Sequence, residues 1–117
     1  YRVLGDGRAG LSSDDMQWFA DQYVPDVKAR ADWRCSPLLA HTVAHLPPVF
    51  IATAEFDVLR SEGEALAAHL HSRGIRVTHR AARGVNHGYL GAGEAVPEAG
   101  LTIAAVAHWV RSRMVAA

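Results

Sequence analysis

The chain has 117 residues, half of them hydrophobic, with twelve acidic and twelve basic side chains and one cysteine, Cys35. That length allows at most one small domain, and balanced charge without a charged block gives no electrostatic basis for binding nucleic acid or an anionic membrane. No apolar stretch approaches the roughly 18 residues of a membrane span, residues 1–7 lack the apolar core of a signal peptide, and a lone cysteine forms no internal disulfide; a reducing, cytoplasmic setting is the expectation.

Residues 1–11 carry Gly5, Gly7 and Gly10 and predict a loop. Ser12 and Ser13 offer an N-cap, and Asp14 and Asp15 put negative charge in the first turn of a helix. Met16, Phe19 and Tyr23 give that helix an apolar stripe, with Trp18 off it, and Pro25 stops it. Asp26 to Arg34 is charged and irregular, Ser36-Pro37-Leu38-Leu39 predicts a turn, and His41 to Leu46 has room for one helical turn.

Pro47 and Pro48 introduce Val49-Phe50-Ile51-Ala52-Thr53-Ala54-Glu55-Phe56-Asp57, a short apolar run ending on a carboxylate. Its length, its β-branched residues and its bounding prolines predict a strand buried on both faces. Ser61 and Glu64 match a capping box, Gly63, Leu66 and Leu70 continue a helical stripe, and Gly74 is placed to end the helix. Ile75 to Ala81 predicts a second strand and Ala82 to Gly93 a glycine-rich loop. Pro97 suits the first position of a last helix with Ile103, Val106, Val110 and Met114 on its apolar face and Trp109 beside it.

Strand, helix and strand in this order predict a βαβ unit with parallel strands. Two parallel strands leave long unpaired edges, so the fold class is α/β and the chain reads as the end of a larger sheet. Buried parallel strands present catalytic groups beyond their carboxyl ends, where Asp57 falls. Asn86-His87-Gly88 follows the second strand. A carboxylate and an imidazole so placed suit two members of a catalytic triad; by spacing alone Asp57 equally reads as a strand-end turn former or N-cap.

The segment from Pro47 to Glu64 resembles the stretch around the acid residue of the hormone-sensitive-lipase-like esterases, of the α/β-hydrolase superfamily. Asn86-His87-Gly88-Tyr89 resembles that family's histidine loop. Ala31 to Ala40 is similar to the stretch leading into the strand, and Met16 to Tyr23 to the aromatic helix before it. Val58 stands where the family commonly has proline, and Asn86 where an aliphatic residue is common. The resemblance implies the C-terminal part of an α/β-hydrolase, with residues 1–46 a cap-proximal helix and linker and residues 47–117 carrying acid and histidine. It implies hydrolysis of carboxylic esters through an acyl-enzyme, without a cofactor, with Asp57 and His87 catalytic and Trp18 and Phe19 against the substrate. Gly88 allows positive φ or close backbone approach after the histidine.

The family also carries a Gly-x-Ser-x-Gly elbow and a glycine-rich oxyanion motif upstream. Neither is present: none of Ser12, Ser13, Ser36, Ser61, Ser72 and Ser112 has glycines two positions away on both sides. The expected partners are therefore an N-terminal half with the nucleophile and oxyanion hole, and a small-molecule ester; self-association is a further expectation. Two other readings stay open: a truncated chain or half of a split protein with no activity, and a metal-binding module built on His41 and His45 at i, i+4. Glu55 and Glu62 read as a solvated carboxylate and a first-turn helix charge.

Overall fold

The computed structural model describes residues 4–43 and 45–114. Three α-helices and two strands form in the order α1 (Ser13–Tyr23), β1 (Val49–Phe56), α2 (Arg60–Ser72), β2 (Val77–Asn86) and α3 (Pro97–Met114), with short 3-10 segments at Val27–Ala31, Pro37–Leu39 and Tyr89–Ala95. The strands pair in parallel, from Val49 opposite Val77 onward.

Strand alternation decides what each helix covers. Val49, Ile51 and Val77 point to one face and pack with Leu66 and Leu70 of α2, Ile75 and Val43. Ala54, Ala82 and Val85 point to the other face and pack with Tyr89 and with Ala99 of α3. Farther along that face, Phe50 meets Trp109 edge-on at 5.7 Å, and the Trp109 indole donates to the Thr78 hydroxyl at 2.9 Å. The sheet is thus a layer between two helices, with two strands among the described residues. Of β1, only Thr53 and Ala54 are buried, and Ala52 is exposed. The expected burial on both faces is incomplete because one strand edge has no neighbour among the described residues.

Local capping follows the chemistry of the ends. Ser12 and Asp15 form a reciprocal capping box at the start of α1, and the Ser12 hydrogen bonds hold the Asp15 carboxyl below the ordinary carboxylate range. The end of α2 closes with Gly74 N–H donating to His71 and Ile75 N–H donating to Leu70, the paired bonds of a Schellman turn.

Four expectations need correction. The Ser61–Glu64 capping box does not form: α2 starts at Arg60 after Leu59, and Glu64 is taken by Arg60 at 2.8 Å. That pairing, with the more distant charge of Glu55, holds the Arg60 guanidinium more firmly protonated. β2 does not stop at Ala81 but runs to Asn86 through an irregularity in the ladder. The packed face of α3 is Ala99, Thr102 and Trp109, while Ile103, Val110 and Met114 are exposed. Small residues and one hydrogen-bonding indole fit against this narrow sheet; the bulky stripe points away. Finally, none of the described residues between His41 and Leu46 is helical; a Leu46 to Val43 backbone bond closes a turn.

Candidate active site

The end of β1 and the end of β2 lie side by side because the strands are parallel. Asp57 leaves β1 in a tight turn that its own side chain builds: Oδ1 accepts the Leu59 N–H at 2.8 Å, the side-chain-to-backbone bond that makes aspartate a turn former. The second oxygen, Oδ2, lies 2.9 Å from His87 Nδ1. The Asp57 side chain is 12% exposed and that of His87 is 45% exposed. An ionised carboxylate only accepts, so the contact requires the proton on Nδ1 and leaves Nε2 as the basic nitrogen. Gly88 follows with φ +79, and nothing lies within 4 Å of where its Cβ would be. The backbone sign of φ, not close approach, is what calls for glycine there.

Behind the histidine, Tyr89 is buried and donates its hydroxyl to Thr102 at 3.1 Å. Thr102 also accepts from Arg80 Nε at 2.9 Å, and Arg80 pairs with Glu98 at 2.6 Å. This network ties β2, the segment after His87 and α3 into one block. On the other side, Gly63 of α2 sits against Thr53 of β1, whose hydroxyl lies 2.9 Å from His79 Nε2.

Asp57 and His87 open onto a groove of about 720 Å³ whose walls come from residues 35–39, from the first turns of α2 and from Ala52 and Thr53. Ser36-Pro37-Leu38-Leu39, expected only as a turn, therefore forms one wall. Trp18 and Phe19 do not line this groove. They meet edge-on at 5.2 Å and are 59% and 49% exposed. His41 and His45 form no helical pair, and among the described residues no three His, Cys, Asp or Glu side chains gather to hold a metal.

Two contacts were missed in the sequence. Glu55 is half-buried rather than solvated, and its Oε2 accepts the Gly84 N–H at 2.7 Å. The signal available was Gly84 itself: a glycine interrupting a strand-like run marks a bulge. The Tyr89–Thr102 bond had no sequence signal, since a threonine inside a helix ordinarily faces solvent or its own backbone.

The parallel strands with flanking helices fit an α/β-hydrolase layout, and the chain belongs to the alpha/beta hydrolase fold family, whose profile matches residues 3–91. Among curated relatives it is 43% identical over 81 residues to the carboxylic ester hydrolase LipN of Mycobacterium tuberculosis, covering 68% of this chain and 22% of that protein. It is 34% identical over 89 residues to an ethyl acetate hydrolase of Pseudomonas putida, covering 76% and 28%. Among solved structures, a thermostable esterase from Pseudomonas putida matches with a TM-score of 0.79 at 40% identity, over 87% of this chain and 33% of that one. The esterase of Pyrobaculum calidifontis matches with a TM-score of 0.88 at 31% identity, over 96% and 36%. The chain thus spans roughly a quarter to a third of the length of these relatives. The resemblance to hormone-sensitive-lipase-like esterases holds over residues 3–91 in the family profile and over 96% of the chain in the Pyrobaculum calidifontis structure.

Proposed function

We propose that these residues supply the acid and base of a serine carboxylesterase site, and that the nucleophile and oxyanion hole come from polypeptide outside the 117 residues. The observation that carries the reading is the 2.9 Å contact between Asp57 Oδ2 and His87 Nδ1 at the carboxyl ends of two parallel strands. Asp57 fixes the imidazole in the Nδ1–H tautomer. His87 Nε2 takes the serine hydroxyl proton as Oγ attacks the ester carbonyl, and returns it to the alkoxide as the alcohol leaves. Water then cleaves the acyl-enzyme with the same imidazole as base. The substrate class is a carboxylic ester, in keeping with the names of the relatives. Residues 1–46 would serve as a cap-proximal region, and the exposed Trp18–Phe19 pair would face substrate in the assembled enzyme. No described helix is long and apolar enough to cross a membrane, and a cytoplasmic setting belongs to this proposal.

The test compares two proteins on an activated acetate ester: the chain alone, and an assembled enzyme joining it to the nucleophile-bearing segment of the Pseudomonas putida esterase. The chain alone is expected to give the background rate, since triad members act as a unit. The assembled enzyme is expected to turn over. A rate in the chain alone that His87→Ala abolishes would overturn the division of labour.

A further inference from the structure

Asp57 meets His87 just past a change of register in the ladder between the strands. From Val49 opposite Val77 to Ala54 opposite Ala82, partners are 28 positions apart; Phe56 and Asn86 are 30 apart. β2 therefore carries two extra residues between Ala82 and Asn86. In the earlier register Asp57 would face Val85; in the later one it faces His87.

Extra residues in one strand lose their ladder partners, and their amides turn to side chains or to water instead. Gly84 lies in this bulge with φ +70, and its N–H donates to Glu55 Oε2 at 2.7 Å. Glu55 sits two residues before Asp57 on β1. The same strand thus grips β2 twice, once at the bulge through Glu55 and once at the imidazole through Asp57. Arg60 and Arg83 line the same small cavity as Glu55, and the Glu55 charge adds to what keeps the Arg60 guanidinium protonated. Nothing lies within 4 Å of a Cβ built on Gly84, so the positive φ and not a close approach calls for glycine there.

We propose that Glu55 is a positioning residue: its carboxylate fixes the β2 bulge, and with it the register that delivers His87 to Asp57. This inference rests on the acid–base reading above. Glu55 touches no reacting atom; it acts through the backbone three residues before His87.

The experiment uses the assembled enzyme with Glu55→Gln, Glu55→Leu and Gly84→Ala. Glutamine keeps a carbonyl oxygen for the Gly84 amide, so turnover should stay within about threefold of the parent, the loss of one charge-assisted bond being partly restored by a neutral one. Leucine keeps bulk and removes the acceptor. Its kcat should fall by about 10²-fold, the scale of a displacement near 1 Å at a reacting group, with KM unchanged. Gly84→Ala strains the bulge from the other strand and should lower kcat in the same direction. In each variant the His87 Nδ1–H proton is followed by nitrogen-15 NMR. It should persist in Glu55→Gln and be lost to solvent exchange in Glu55→Leu. Parent-like kcat and an intact Nδ1–H signal in Glu55→Leu would overturn the positioning role while leaving the acid–base reading standing. An equal loss in Glu55→Gln and Glu55→Leu would also overturn it, because charge rather than the amide contact would then be the cause. If Glu55→Leu does not fold, parent-like kcat in Gly84→Ala overturns the proposal. Unchanged turnover in Asp57→Asn and His87→Ala would instead overturn the acid–base reading.

Discussion

Thr102 is fully buried, and its hydroxyl oxygen accepts two hydrogen bonds, from Arg80 and from Tyr89. Valine has nearly the same shape and no acceptor. Thr102→Val should therefore strand two donors and lower stability by about 2 kcal/mol, the desolvation cost of an unmade buried hydrogen bond. Thr102→Ser keeps the acceptor and should cost less. Chemical denaturation of the assembled enzyme checks both, and a valine variant as stable as the parent would show that water replaces the missing oxygen. Residues with one dominant physical role were the legible ones. Asp57 stood at the end of an apolar run and His87 beside a glycine, so strand geometry alone placed them at one sheet edge. Glu55 was harder to read: Gly84 signals a bulge, but a backbone amide carries no side-chain signature that points to Glu55 as its acceptor.

Gly63 shows why the α2–β1 contact admits so little change. A Cβ at this position would lie 2.6 Å from Thr53 Cγ2, closer than two carbons approach. Gly63→Ala should push α2 from the sheet and cost about 1–3 kcal/mol, the range for overpacking a core. Thr53→Ser removes that methyl and keeps the hydroxyl facing His79. Combining the two should recover most of the loss, so a double-mutant cycle should give a clear favourable coupling; simple additivity would contradict the close approach. At this scale the sequence indicated element type and order correctly, because capping residues, prolines and alternation act locally. It misplaced the end of β2, since a bulge extends a strand through residues that otherwise signal a loop. It also chose the wrong face of α3. The stripe of Ile103, Val110 and Met114 is the more apolar one, yet Ala99 and Thr102 fit the sheet.

The chain as a whole is loose for its length. Its radius of gyration is 15.8 Å, against about 13 Å for a folded domain of this size. Its accessible surface is 8244 Å², against roughly 6,200 Å² for a monomer of this mass. The excess is apolar in part: Trp18, Phe19, Tyr23, Leu101, Ile103 and Met114 are all exposed. Such surface is ordinarily covered by further structure or by association. The isolated chain should therefore self-associate or melt over a broad range, as light scattering and calorimetry would record. A monodisperse monomer with one sharp transition would contradict the half-sheet reading. What covers this surface is not legible in the chain, because no residue pattern in it specifies a covering partner. The central claim concerns two of the residues inside it. The most direct measurement is kcat/KM of the assembled enzyme on an activated acetate ester for Asp57→Asn and His87→Ala. A carboxylate that fixes the imidazole tautomer predicts a loss on the order of 10⁴-fold for Asp57→Asn, the size seen for the equivalent change in a serine-protease triad, and at least as much for His87→Ala. Either variant within about tenfold of the parent would contradict the assignment of Asp57 and His87 as acid and base, since orientation and proton transfer together supply far more than that.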